Sequence, residues 1–279
     1  MGYKTILAVV TDASLIKTTI DHAGAVADGC GAHLDVLCFG VDRTQSGYYY
    51  AGANAMILQE TLSRATEEGE ALAASARAAL EQRDTRWSLE SGVAQLVDIG
   101  RHVAGRARFS DLVVLPKPYG KDRGVELEPV VEGALFEGQA PVMTVPQAVM
   151  PTATPSRVVI GWNEGAEALR AVRAAMPMLI GAEKVHVVVI DPPQHGPNRS
   201  DPGGMLSQYL ARHGVKAEID VLSRTMPRVS DVLCRHAQDV DADMIVMGAY
   251  GHSRFREAIL GGATRNMLEQ AVIPVFMAH

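Results

Sequence analysis

Cysteine is scarce in this chain of 279 residues: Cys30, Cys38 and Cys234 stand apart, without CxxC or metal-ligand spacing. An odd, scattered set predicts buried, unpaired thiols in a reducing compartment. Excess positive charge is missing too. Lysine and arginine number 26 against 32 aspartates and glutamates, for a net charge of −6 and a pI near 5.8. That balance draws the chain neither to nucleic acid nor to an anionic membrane. Only one uncharged run, residues 138–156, has the length to raise the question of a membrane span. Pro141, Pro146, Pro151 and Pro155 interrupt it among polar residues, so it reads as a strand and a linker. The start, Met1-Gly2-Tyr3-Lys4-Thr5-Ile6, lacks a signal-peptide pattern, and Ile6 stands where a myristoylation motif needs Ser or Thr. The expectation is a cytoplasmic protein. The usual NTPase, dinucleotide and hydrolase signatures, G-x4-G-K-[ST], G-x-G-x-x-G and G-x-S-x-G, are absent.

What is present is an ordinary apolar fraction of 47%, enough for a real core, in a chain long enough for two domains. Lys4–Val10 reads as a buried strand, and Asp12-Ala13-Ser14 as the capped start of a helix reaching Gly29. A strand at His33–Phe39, a loop over Gly40–Gly52 and a long alanine- and glutamate-rich helix over Asn54–Gln82 follow. Arg86–Glu90 is predicted as a strand, Val93–Arg106 as a helix, Leu112–Leu115 as a strand, Leu127–Glu137 as a helix and Val142–Val145 as a strand. After a proline-bounded linker the order recurs, which is the mark of a duplication. The second set has strands at Arg157–Asn163, Val185–Ile190, Ala217–Leu222, Met244–Met247 and Ile273–Met277. Its helices fall at Glu164–Leu179, Met205–His213, Val229–Asp239 and Arg265–Ala271. Alternation of this kind predicts two α/β domains, 1–146 and 156–279, joined by a linker at 147–155, each an open, mostly parallel sheet covered by helices.

The stretch from Asp243 to Thr264 carries the functional signal. A buried strand runs into Gly248 and Gly251, a polar, partly basic loop follows, and Gly261-Gly262-Ala263-Thr264 opens a helix. Glycines permit close backbone approach, and the free N–H groups of a helix start attract anions, so the stretch suits a phosphate. Its spacing, Gly248-x2-Gly251-x9-Gly261, resembles the G-2x-G-9x-G-(S/T) signature of the ATP-binding universal stress proteins, with Gly262 where that pattern has Ser or Thr. The resemblance spans the chain and implies tandem Rossmann-like domains of the adenine-nucleotide hydrolase-like type. It also implies ATP, with or without Mg²⁺, in the second domain. Asn163 and Val189 would then hold the adenosine, and backbone N–H groups around Gly248, Gly251, Gly261, Gly262, Ala263 and Thr264 the phosphates, with Gly161 and Met247 in the same site. His252 and Arg254, in the glycine loop with Arg256, read either as neutralising phosphate charge or as part of an exposed, solvated loop. Family pairing through the last strands, Val142–Val145 and Val275–Met277, implies a homodimer or an intrachain pseudo-dimer.

The first half serves as an internal control. Aligned on the closing strands, Gly261-Gly262 falls on Glu128-Pro129 or one residue later, and Gly248-x2-Gly251 on Pro116-Lys117-Pro118-Tyr119. A carboxylate repels phosphate and proline offers no N–H, so this half keeps the fold without the cradle. Conversely, the family's strand-end Asp is present as Asp12 and replaced in the second half by Asn163, an amide that can both donate and accept.

Three functions follow. The first is a nucleotide-responsive stress protein; the second is a nucleotide-free interaction scaffold. The third, a slow ATPase or phosphotransferase, has no residue in place as a general base. His186 and His236 fall in core elements and read as structural. Asp241 and Asp243 suit a turn better than a metal. Tyr48–Tyr50 reads as packing against a helix or dimer contact, with a recognition patch as the alternative.

Overall fold

The computed structural model describes residues 2–44, 55–121, 123–192, 201–249 and 262–279. The chain divides into two compact units, Gly2–Val142 and Met143–His279. Tyr48–Tyr50 and the centre of the glycine loop lie outside the described residues.

In the first unit β1 (Thr5–Val10) leads through a short 3₁₀ turn into α1 (Ile16–Cys30). Then come β2 (His33–Asp42), α2 (Ala55–Leu80), β3 (Trp87–Gln95), α3 (Ile99–Ala107), β4 (Leu112–Pro116) and α4 (Leu127–Glu132). The strands pair in parallel in the order β3-β2-β1-β4. The strand β5 (Val142–Val145) spans the division between the units.

The second unit repeats the plan. It contains β6 (Arg157–Gly161), α5 (Ala166–Gly181), β7 (Lys184–Ile190), α6 (Gly204–Arg212), β8 (Ala217–Leu222), α7 (Val229–Asp239), β9 (Met244–Gly248), α8 (Gly262–Gln270) and β10 (Val275–Ala278). Its strands pair in parallel in the order β8-β7-β6-β9-β10. Central strands flanked by helices on both faces are buried throughout: Val158, Val159, Ile160, Ile245 and Val246 are all 0% exposed.

An aspartate locks the amino end of each sheet. Asp111 Oδ2 accepts the backbone N–H groups of Lys4 and Thr5 at 2.6 and 3.0 Å. Asp243 Oδ2 accepts those of Ser156 and Arg157 at 2.6 and 2.9 Å. The carboxylate that precedes each unit's fourth strand thus holds the entry to its first.

Three expected boundaries move. The segment Gly40–Asp42, expected as loop, extends β2 because α2 lies directly upon it: a Cβ on Gly40 would stand 1.7 Å from the Ala65 carbonyl oxygen. Val93–Gln95, expected as the start of a helix, extends β3, since the lengthened β2 offers partners from Phe39 to Asp42. The helix expected over Leu127–Glu137 changes to a π-turn at Gly133–Glu137. There α3 crosses so closely that a Cβ on Gly133 would meet the Gly100 oxygen at 2.3 Å.

Candidate nucleotide site

Ligands of open parallel sheets sit at the carboxyl ends of the strands. In the second unit that edge is formed by Gly161, Ile190 and Gly248, the last residues of β6, β7 and β9. Gly161 pairs in register with Val188 on one side and Met247 on the other, while Val189 pairs outward with Val221 and is 6% exposed. Sequence and structure therefore bring Gly161, Val189, Met247 and Gly248 to one edge.

Two of these glycines are explained by packing. A Cβ on Gly248 would lie 2.5 Å from both the Ala168 nitrogen and Glu167 Cγ, because the first turn of α5 rests on this strand end. A Cβ on Gly161 would press on Leu233 of α7 at 3.1 Å. Gly262 differs. It opens α8, is exposed, and a Cβ there would meet none of the described residues within 4 Å. Ala263 is exposed beside it, whereas Thr264 is 2% exposed and turned into the unit. No acidic residue occupies the first turn of α8, so its N–H groups present a positive end to an anion. Gly251, His252, Arg254 and Gly261 lie outside the described residues.

Asn163 is engaged locally. Its Oδ1 accepts the Gly165 N–H at 2.9 Å and its Nδ2 donates to Glu167 Oε1 at 3.1 Å. Asp12 forms the same turn in the first unit, where its Oδ1 accepts the Ser14 N–H at 2.8 Å. The strand-end residue of each unit therefore shapes the entry to the next helix. Glu167 went unnoticed in the sequence; its place four residues after Asn163, in the first turn of a helix, was the available signal.

The first unit treats the matching helix start differently. Glu126, 1% exposed, precedes α4 and binds Arg43, with Nη2 donating to Oε1 at 2.9 Å. Arg43 also reaches Glu68 at 3.3 Å. Glu128 sits in the first turn of α4 and Pro129 follows it. Carboxylates of the chain itself stand where α8 is open. A pair separated by 83 residues left no sequence signal.

Residues 156–279 match the model of the universal stress protein family. The matched segment contains the whole edge just described. A universal stress protein of Synechocystis sp. is 29% identical over 91 residues, covering 33% of this chain and 31% of that protein. The chain thus spans about a third of the length of this curated relative. Among solved structures, a universal stress protein from Archaeoglobus fulgidus DSM 4304 superposes with a TM-score of 0.68 at 16% identity, covering 98% of this chain and 95% of that one. A protein of unknown function from Pseudomonas aeruginosa PAO1 gives 0.56 at 15% identity, covering 99% and 92%. At these identities the likeness concerns the fold: an α/β architecture with a parallel sheet, matched over nearly the entire chain. No helix among the described residues is long and apolar enough to cross a membrane.

Proposed function

We propose that the universal stress protein domain binds ATP, with Mg²⁺ on its phosphates, and that the occupied and empty forms act as the two states of a cytoplasmic stress sensor. The observation that carries this reading is the helix start at Gly262. It is exposed, clear of the described residues and free of carboxylates in its first turn, and it continues the Gly248-x2-Gly251-x9-Gly261 spacing. Backbone N–H groups there would hold the phosphates, and the strand ends at Gly161 and Val189 would receive the adenosine. The role is binding, since a cradle of N–H groups stabilises an anion without supplying a base or nucleophile.

The test uses Gly262→Glu. The added side chain has room, and a carboxylate at a helix start favours the helix, so the domain should remain folded. Its charge would oppose a phosphate at that point. ATP at a hundredfold excess over Kd should raise the melting temperature of the native chain by roughly 5–15 °C and that of Gly262→Glu by almost nothing. Equal shifts in the two proteins would place the nucleotide elsewhere.

A second reading, a nucleotide-free interaction scaffold, draws on Asn163. Both halves of its amide are bonded within the chain, and the Glu167 Cγ methylene packs beside Gly248. Nucleotide release after denaturing the purified protein separates the readings: retained ATP supports the sensor, and none, with no melting shift, supports the scaffold.

A further inference from the structure

Away from the strand ends, three ligating groups from three elements of the second unit converge. His186 lies on β7, Asp220 on the edge strand β8 and His236 on α7, which covers that face. Asp220 Oδ2 stands 2.8 Å from His186 Nδ1 and 2.8 Å from His236 Nε2, and all three ligand atoms lie within 4.8 Å of one another. The side chains are 6%, 23% and 15% exposed, so the cluster is sheltered yet open on one side. The imidazole rings meet edge to face, with centroids 5.9 Å apart.

We propose that His186, Asp220 and His236 bind a divalent transition-metal ion of the zinc type. Two imidazoles and a carboxylate form a borderline-soft N₂O set that suits such an ion and leaves a coordination position open. Metal–ligand bonds of about 2.0–2.1 Å in a tetrahedron separate ligand atoms by about 3.3 Å. The two spacings to the Asp220 oxygen, 2.8 Å each, need only a small opening to admit the ion, and the two histidine nitrogens lie within 4.8 Å of each other. A neutral imidazole can carry its proton on the nitrogen facing away and turn its lone pair inward. Glu218 Oε1, 3.0 Å from His186 Nδ1, borders the cluster without joining it and is held by Lys184 at 2.8 Å, which leaves the remaining position to water.

The proposal stands apart from the nucleotide reading, since none of its residues belongs to the strand-end edge. It is tested on the full chain after treatment with chelator. Zn²⁺ titrated calorimetrically should bind with a stoichiometry of one per chain, and Co²⁺ should give visible bands of four-coordinate intensity. His236→Gln and Asp220→Asn should each weaken Zn²⁺ by more than about tenfold, with circular dichroism confirming that both variants are folded. His213→Gln, in a histidine outside the cluster, should leave binding unchanged. If either cluster variant unfolds, loss of the Co²⁺ bands in His186→Gln provides the same reading. Absence of Zn²⁺ uptake by the native chain, or uptake unaltered in the folded cluster variants, would reduce the triad to a hydrogen-bonded strut.

Discussion

His22 lies in α1 with 3% exposure, and neither ring nitrogen has a hydrogen-bond partner among the described residues. Burial pushes its pKa down from 6.5 to about 4, against a smaller opposing pull from Asp21. The folded state therefore resists a proton that the unfolded chain accepts. Unfolding free energy should be at its full value above pH 6.5 and fall as the pH drops from about 6.5 to 4, by about 3 kcal/mol in all. His22→Leu, which removes an unpartnered polar group, should be near neutral at pH 7 and flatten that decline, as denaturant titrations across pH would reveal. An undiminished slope would assign the effect to other groups. At this scale the sequence was only partly legible. It identified Asp12 and Asn163 as strand-end residues and Gly262 as the departure from the S/T position. It gave no hint that His186 and His236, both read as structural, share one carboxylate. Their partner is 34 residues from one and 16 from the other, and only strand pairing and helix cover bring the three together.

Helices and strands were more legible than their contacts. Helical periodicity and short apolar runs located the described elements, and Val142–Val145, Ala217–Leu222 and Val229–Asp239 coincide with their expected bounds. The errors fell where two backbones touch. A glycine inside a strand reads as a break, whereas Gly40 allows α2 to lie on β2 and the strand to continue. Gly40→Ala should accordingly cost about 3 kcal/mol or more, since the obstacle is the Ala65 carbonyl and not a mobile side chain. Gly105 is the contrasting case: it is exposed within α3 with nothing within 4 Å of an added Cβ. Gly105→Ala should stabilise by about 0.5–1 kcal/mol through helix propensity and a less flexible unfolded chain. Denaturation midpoints of the two variants should shift in opposite directions.

At the scale of the molecule, the sequence shows a recurring order of elements, and the first four strands of each unit share one order, β3-β2-β1-β4 and β8-β7-β6-β9. The difference between the halves was visible as well, through Glu128 and Pro129, although the buried Glu126–Arg43 pair was not. On the proposed function, one nucleotide per chain is the expected stoichiometry. Native mass spectrometry or calorimetry finding two would mean that the first unit binds despite its own carboxylates.

The two aspartate locks bear on how such a molecule diverges. Asp111 and Asp243 secure the amino ends of the strands, about a strand length, ~17 Å, from the carboxyl edge. Substitutions at one end leave the other intact. After a domain of this design is doubled, one copy is free to drift at its ligand edge while selection for folding acts on the opposite rim. Here the locks keep matching places in the two units, while the strand-end residues of the opposite rims differ, Asp12 in one and Asn163 in the other.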